Sequence, residues 1–107
     1  MANPNIVNVT TIYGKLLTGT SISLGLPSAG TVYKINAIYA SNDTTSAAEA
    51  DATINGTPLV KVSVPAKSTL DVLSKSVYLT EDQTSGLVCN TVTGLDYVVS
   101  YEEISDQ

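Results

Sequence analysis

The stretch Asp51-Ala52-Thr53-Ile54-Asn55-Gly56-Thr57-Pro58-Leu59-Val60-Lys61-Val62-Ser63-Val64 decides the fold class. Asn55-Gly56 offers two residues that tolerate positive φ, which is what a two-residue type I′ hairpin turn requires. In the second arm Val60, Val62 and Val64 share one face, with Leu59, Lys61 and Ser63 on the other, which is the period of a strand. Pro58 cannot donate to a ladder, so that arm is expected at a sheet edge or with Pro58 at its start.

Working outward, the same period recurs. Ile6 to Tyr13 reads as a first strand, ended by Gly14, and Thr20 to Leu26 as a second with Ile22, Leu24 and Leu26 aligned. Thr31 to Ser41 is the longest candidate: Tyr33, Ile35, Ala37 and Tyr39 lie on one face, Val32, Lys34, Asn36, Ile38 and Ala40 on the other. The polar run Asn42 to Ser46 is a loop leading into Ala47-Ala48-Glu49-Ala50, which has the composition of a single helical turn. Beyond Pro65-Ala66-Lys67-Ser68, Thr69 to Ser74 and Ser76 to Leu79 form one bent strand or two short ones. Thr80 to Gly86 is an acidic loop. Leu87 to Val92 and Leu95 to Glu102 make a final pair joined at Thr93-Gly94, with Leu95, Tyr97, Val99 and Tyr101 facing together. About eight short strands separated by turn signals predict an all-β fold, a single antiparallel β-sandwich (Ig-like or jelly-roll-like). The whole chain, 1–107, reads as one domain with loose ends at 1–5 and 103–107.

Composition agrees and narrows the chemistry. Val, Ile, Thr and Tyr make up over a third of the 107 residues, the types that suit a pleated, half-buried surface. The chain has no His, Arg, Trp or Phe. Without His there is no imidazole base, no Ser-His-Asp or Cys-His pair and no ordinary zinc site. Without Arg there is no bidentate clamp for phosphate or carboxylate. The net charge of −5 disfavours nucleic acid, whose binding rests on neutralising phosphates. The start, Met1-Ala2-Asn3-Pro4-Asn5, carries no basic and apolar segments of a secretory leader, and no apolar run reaches the roughly eighteen residues of a membrane helix. Cys89, the single cysteine, reads as a small buried hydrophobe. The expectation is a non-enzymatic chain with no cofactor, no nucleic-acid partner and no membrane partner.

Four constellations are weighed against that expectation. Glu49/Asp51 and Glu81/Asp82 are oxygen pairs of the kind calcium uses, but EF-hand spacing is absent and acidic pairs in loops are mostly just solvated, so no metal site is expected. Glu102/Glu103 at a strand end reads as a charged edge that discourages stray pairing. Ser74-Lys75-Ser76 and Lys67-Ser68 are the only Ser-Lys neighbours, and neighbours on a strand point to opposite faces. Tyr39 and Tyr101 serve either the core or an interface, since a tyrosine ring buries area while its hydroxyl pairs.

Four blocks carry a resemblance. Asn3-Pro4-Asn5-Ile6-Val7-Asn8-Val9-Thr10-Thr11-Ile12-Tyr13-Gly14-Lys15 resembles the opening of small virion structural proteins of tailed phages, notably phages of cyanobacteria and marine bacteria. Gly30 to Tyr39 is similar to a second block of that family, Val64 to Val72 to a third, and Val99 to Ser105 to a fourth, in the same order. None is a catalytic signature. The chain is shorter than the family pattern around Ala50 to Pro58, where the tight hairpin stands in place of a longer loop.

The resemblance implies a component of the virion, made in the cytoplasm of the host bacterium. The size implies a capsid decoration or cement protein, partnered by the major capsid protein and by neighbouring copies of itself, with a trimer favoured. A neck-, tail- or fibre-associated position and a host-surface or glycan-binding module are the alternatives. On the capsid reading the interface candidates are Asn3, Pro4 and Asn5, Tyr39 and Tyr101, and Glu102 and Glu103. The two chain ends are placed to reach a neighbour or to add a strand to its sheet.

Overall fold

The computed structural model describes residues 10–106, with side chains from 12 to 105. Among the described residues there are nine strands and no helix: β1 (Thr10–Gly19), β2 (Ile22–Leu24), β3 (Thr31–Asn42), β4 (Ala48–Ile54), β5 (Thr57–Val64), β6 (Ser68–Asp71), β7 (Val77–Leu79), β8 (Leu87–Cys89) and β9 (Leu95–Asp106). They form two antiparallel sheets packed as a β-sandwich. The larger runs β1-β9-β3-β6, with β7 also paired to β3, and the smaller runs β2-β8-β4-β5.

β4 and β5 are the hairpin expected from Asn55-Gly56, whose φ values of 52° and 76° are the positive pair a type I′ turn needs. Pro58 is the second residue of β5, the edge strand, beside a bulge between Ala52 and Thr53. Asparagine is well suited to the first turn position for a further reason: its carbonyl oxygen accepts from the N–H and hydroxyl of Thr84 and the N–H of Ser85. The turn thereby holds the acidic loop against the small sheet.

Alternation decides burial in most strands. Ile22 and Leu24 of β2, and Leu95, Tyr97, Val99 and Tyr101 of β9, face the single core between the sheets. Cys89 is buried there as read from sequence, and burial pushes its thiol up to about 12. β3 behaves differently. Asn36 has no register partner on β9, because the pairing steps from Ile35↔Tyr101 to Ala37↔Ser100. This one-residue bulge turns the strand over, so Ile35 is inward before it and Ile38, Ala40 and Asn42 are inward after it.

Several expectations are corrected. Gly14 does not end the first strand; β1 passes through it to Gly19, while Ile6 to Val9 lie outside the described residues. Ala48 to Ala50 are in β4, where Ala50 and Ala52 fit beneath the large sheet with no exposed surface. β8 and β9 are not a paired hairpin, since the chain changes sheets between them. The segment 103–106 is not loose: it ends β9, paired to β1 on one side and, as far as Ser105, to β3 on the other. Glu102 and Glu103 therefore sit on an interior strand, not on a charged edge.

Candidate interaction surface

The register of the large sheet defines its outward face row by row. Ile12, Ile104 and Val32 lie side by side, then Gly14, Glu102, Lys34 and Tyr78, then Leu16, Ser100 and Ala37, then Thr18, Val98 and Tyr39. Leu16 is 67% exposed, Ile12 55%, Tyr78 52% and Tyr39 42%, so four large apolar side chains on one sheet face meet solvent. Scattered exposed apolar residues are ordinary on any protein, whereas several aligned on one rigid face form a patch. One polar cluster crosses it. Glu102 accepts from Asn36 Nδ2 at 3.1 Å and lies 3.9 Å from Lys34 Nζ.

The bulge at Asn36 brings Tyr39 to this face. Sequence alternation alone groups Tyr39 with Ile35, and the register step separates them. The switch of apolar residues from Tyr33 and Ile35 to Ile38 and Ala40, with Asn36 between, is the sequence signal of that step. Nothing in the sequence singles out Tyr78, Leu16 or Ile12 as surface residues: Tyr78 and Ile12 lie in strand candidates that read equally as core, and Leu16 lies beyond Gly14, where the first strand is expected to end.

The remaining candidates lie elsewhere. Tyr101 is buried at 7% exposure, its ring edge-on to Tyr33 with centroids 5.4 Å apart, and so belongs to the core and not to the surface. Glu103 points to the sandwich side of the sheet, 3.5 Å from Lys15 Nζ. Burial first, and then the Glu103 carboxylate, hold the Tyr33 phenol above its ordinary value. Asn3, Pro4 and Asn5 lie outside the described residues.

The acidic pairs are engaged locally. Lys61 stands 3.9 Å from both Glu49 and Asp51. Glu81 accepts from the N–H of Gly30 at 2.9 Å, and Asp82 accepts from the Thr80 hydroxyl. Among the described residues no three carboxylate or thiol groups cluster as metal ligands would. Lys67 donates to the carbonyl and carboxylate of Asp43, not to Ser68. A cleft of about 440 Å³ opens at one end of the sandwich, lined by Thr20, Asp43, Thr44, Thr93 and Asp96 among others. Its Asp43 is already paired with Lys67.

Fold and surface together define an all-β sandwich whose most distinctive feature is an apolar sheet face. No protein-family model, curated protein or solved structure matches the chain.

Proposed function

We propose that the chain is a non-enzymatic structural protein of a phage particle, a decoration or cement protein that binds across joints between major capsid subunits. The observation that carries this reading is the outward face of the large sheet, where Tyr39, Tyr78 and Leu16 are exposed on rigid strands. Tyrosine is favoured at interfaces because its ring supplies area at small entropic cost while its hydroxyl remains paired. A cement protein works by adding buried area to both sides of a joint, on the order of 1,200–2,000 Å² in total for a specific contact. That added contact opposes the outward pressure of packaged DNA. The four resembling blocks support the same reading, as does a composition poor in reactive side chains, whose single thiol is buried and held protonated.

Cosedimentation with particles lacking this protein tests the proposal. The purified chain is expected to bind capsids, and Tyr39→Asp with Tyr78→Asp to abolish binding, because both place charge in the docking face. Val62→Lys alters an exposed valine on the opposite sheet and is expected to bind as the native chain does. Binding to isolated tails and not to capsids, or undiminished binding by the double variant, overturns it.

A further inference from the structure

We propose that β1 is the contact between two copies of this chain, paired antiparallel about a twofold axis through Gly14. Sheet edges expose unpaired N–H and C=O groups, and proteins guard them with shortness, proline, bulges or charge. Here β2, β6 and β7 are three or four residues long. β5 is longer and carries Pro58, a bulge at Leu59, which the register with β4 passes over, and Lys61 held between two carboxylates. β1 has none of these guards. It runs ten residues without a register break or proline, with β9 on one side and, among the described residues, no strand on the other. Its only charge, Lys15, leans inward along the sheet to Glu103 at 3.5 Å and leaves the edge open.

The residues on β1 select a second β1 as the occupant and select the register. With Gly14 facing the partner's Gly14, the strands pair from Thr10 through Thr18 of each copy. Leu16 then faces the partner's Ile12 and Ile12 the partner's Leu16, so both exposed aliphatic residues of the outward face become cross-strand pairs. On the other face Lys15 meets the ring of the partner's Tyr13, a favourable cation–aromatic approach. Tyr13 is 57% exposed, so the small sheet does not overhang the strand there. An axis at Lys15 sets two ammonium groups directly opposite each other, and an axis at Leu16 loses pairing at Ile12. Gly14 suits the axis because nothing stands within 4 Å of where its Cβ would be. The contact joins copies in pairs through a continuous sheet, and this twofold arrangement replaces the threefold that the family resemblance suggests. It shares Leu16 with the proposed docking face but not Tyr39 or Tyr78, so the Tyr39→Asp, Tyr78→Asp variant, which leaves β1 intact, separates capsid docking from self-pairing.

Sedimentation equilibrium of the full chain, combined with register-specific variants, tests the pairing. The native chain is expected at twice the chain mass. Ile12→Lys with Leu16→Lys sets lysine against lysine twice across the axis and is expected to give monomer with unchanged circular dichroism. Ile12→Lys with Leu16→Glu sets opposite charges at the same positions and is expected to restore the dimer. Gly14→Cys is expected to form an intermolecular disulfide under mild oxidation, since facing residues lie within disulfide reach and Cys89 is buried. A monomeric or trimeric native chain, a dimer that survives the double lysine change, or no rescue by the charge pair overturns the proposal.

Discussion

The hydroxyl of Tyr97, on the central strand of the large sheet, accepts from the backbone N–H of Asp51 on the small sheet at 3.1 Å. It donates in turn to the carbonyl of Asn90 at 3.0 Å. One side chain with no exposed surface thus crosses the core and ties β9 to the β4 and β8 strands opposite. Burial holds this phenol above its ordinary value, against the opposing effect of the hydrogen bond from the Asp51 N–H. Tyr97→Phe keeps the ring and strands both backbone partners away from water, which costs about 1–3 kcal/mol. Urea unfolding is expected to show a lower midpoint with an unchanged slope. A midpoint equal to that of the native chain would mean that the hydroxyl contributes nothing across the core.

Asn55 performs two tasks that substitution separates. Its φ of 52° serves the hairpin, and its side-chain carbonyl accepts from Thr84 and Ser85. Asn55→Gly retains the turn conformation and removes the acceptor. The expected loss is about 1 kcal/mol, with faster hydrogen exchange at the Thr84 and Ser85 amides and none at the β4–β5 ladder. Exchange rising equally in the ladder would assign the residue to the turn alone.

Two glycines with similar sequence settings differ in what surrounds them. At Gly86 an added Cβ would fall inside van der Waals contact with the Leu24 carbonyl, a backbone atom of the paired β2–β8 edge. At Gly14 the same atom meets open space. Gly86→Ala is expected to cost at least about 2 kcal/mol, while Gly14→Ala is neutral or gains up to about 1 kcal/mol from the strand interior. Thermal unfolding of the two variants side by side measures the difference, and equal midpoints would refute the close approach.

Local chemistry was legible in the sequence, and pairing between distant segments was not. The Asn55-Gly56 hairpin joins consecutive strands within one sheet, so its turn residues and alternation sufficed. The shared face of Leu95, Tyr97, Val99 and Tyr101 on β9 is legible from alternation, because the register with β3 and β1 leaves that face unbroken as far as the core extends; that Tyr101 lies in the core and not at an interface is not. Whether β8 pairs with β9 depends on which sheet each joins, and adjacency in the chain carries no information about that. The candidate surface failed in the same way: Tyr39 and Tyr101 had identical sequence credentials, and the bulge at Asn36 sent one outward while the other stayed in. Deleting Asn36 removes the unpaired residue and leaves every β3–β9 pair on its present face. The deletion variant is therefore expected to fold, with loss of the Asn36–Glu102 hydrogen bond, and its unfolding cooperativity tests this. A molten or unfolded product would show that the bend itself, and not only the register, holds Tyr39 outward.

Cys89 makes stability depend on alkaline pH. Its thiol has no exposed surface and is pushed up to about 12 by burial, against an ordinary value of 9.0. The folded chain therefore keeps a proton that the unfolded chain releases above that ordinary value. The stabilisation is fully present below pH 9 and is lost as pH rises toward 12, at up to about 1.4 kcal/mol per pH unit for one group. Tyr97 and Tyr33, both raised from 10.0, add to the decline in the upper part of the window. Cys89→Val keeps an apolar side chain of similar size and removes the titrating group, so its stability is expected to stay level between pH 9 and 10, where the native chain already declines. Urea midpoints across that interval measure the difference, and a thiol reagent at pH 8 is expected to label Cys89 only as fast as the chain opens. Parallel decline in both proteins, or rapid labelling of the folded chain, would show that the thiol is reached by solvent without unfolding.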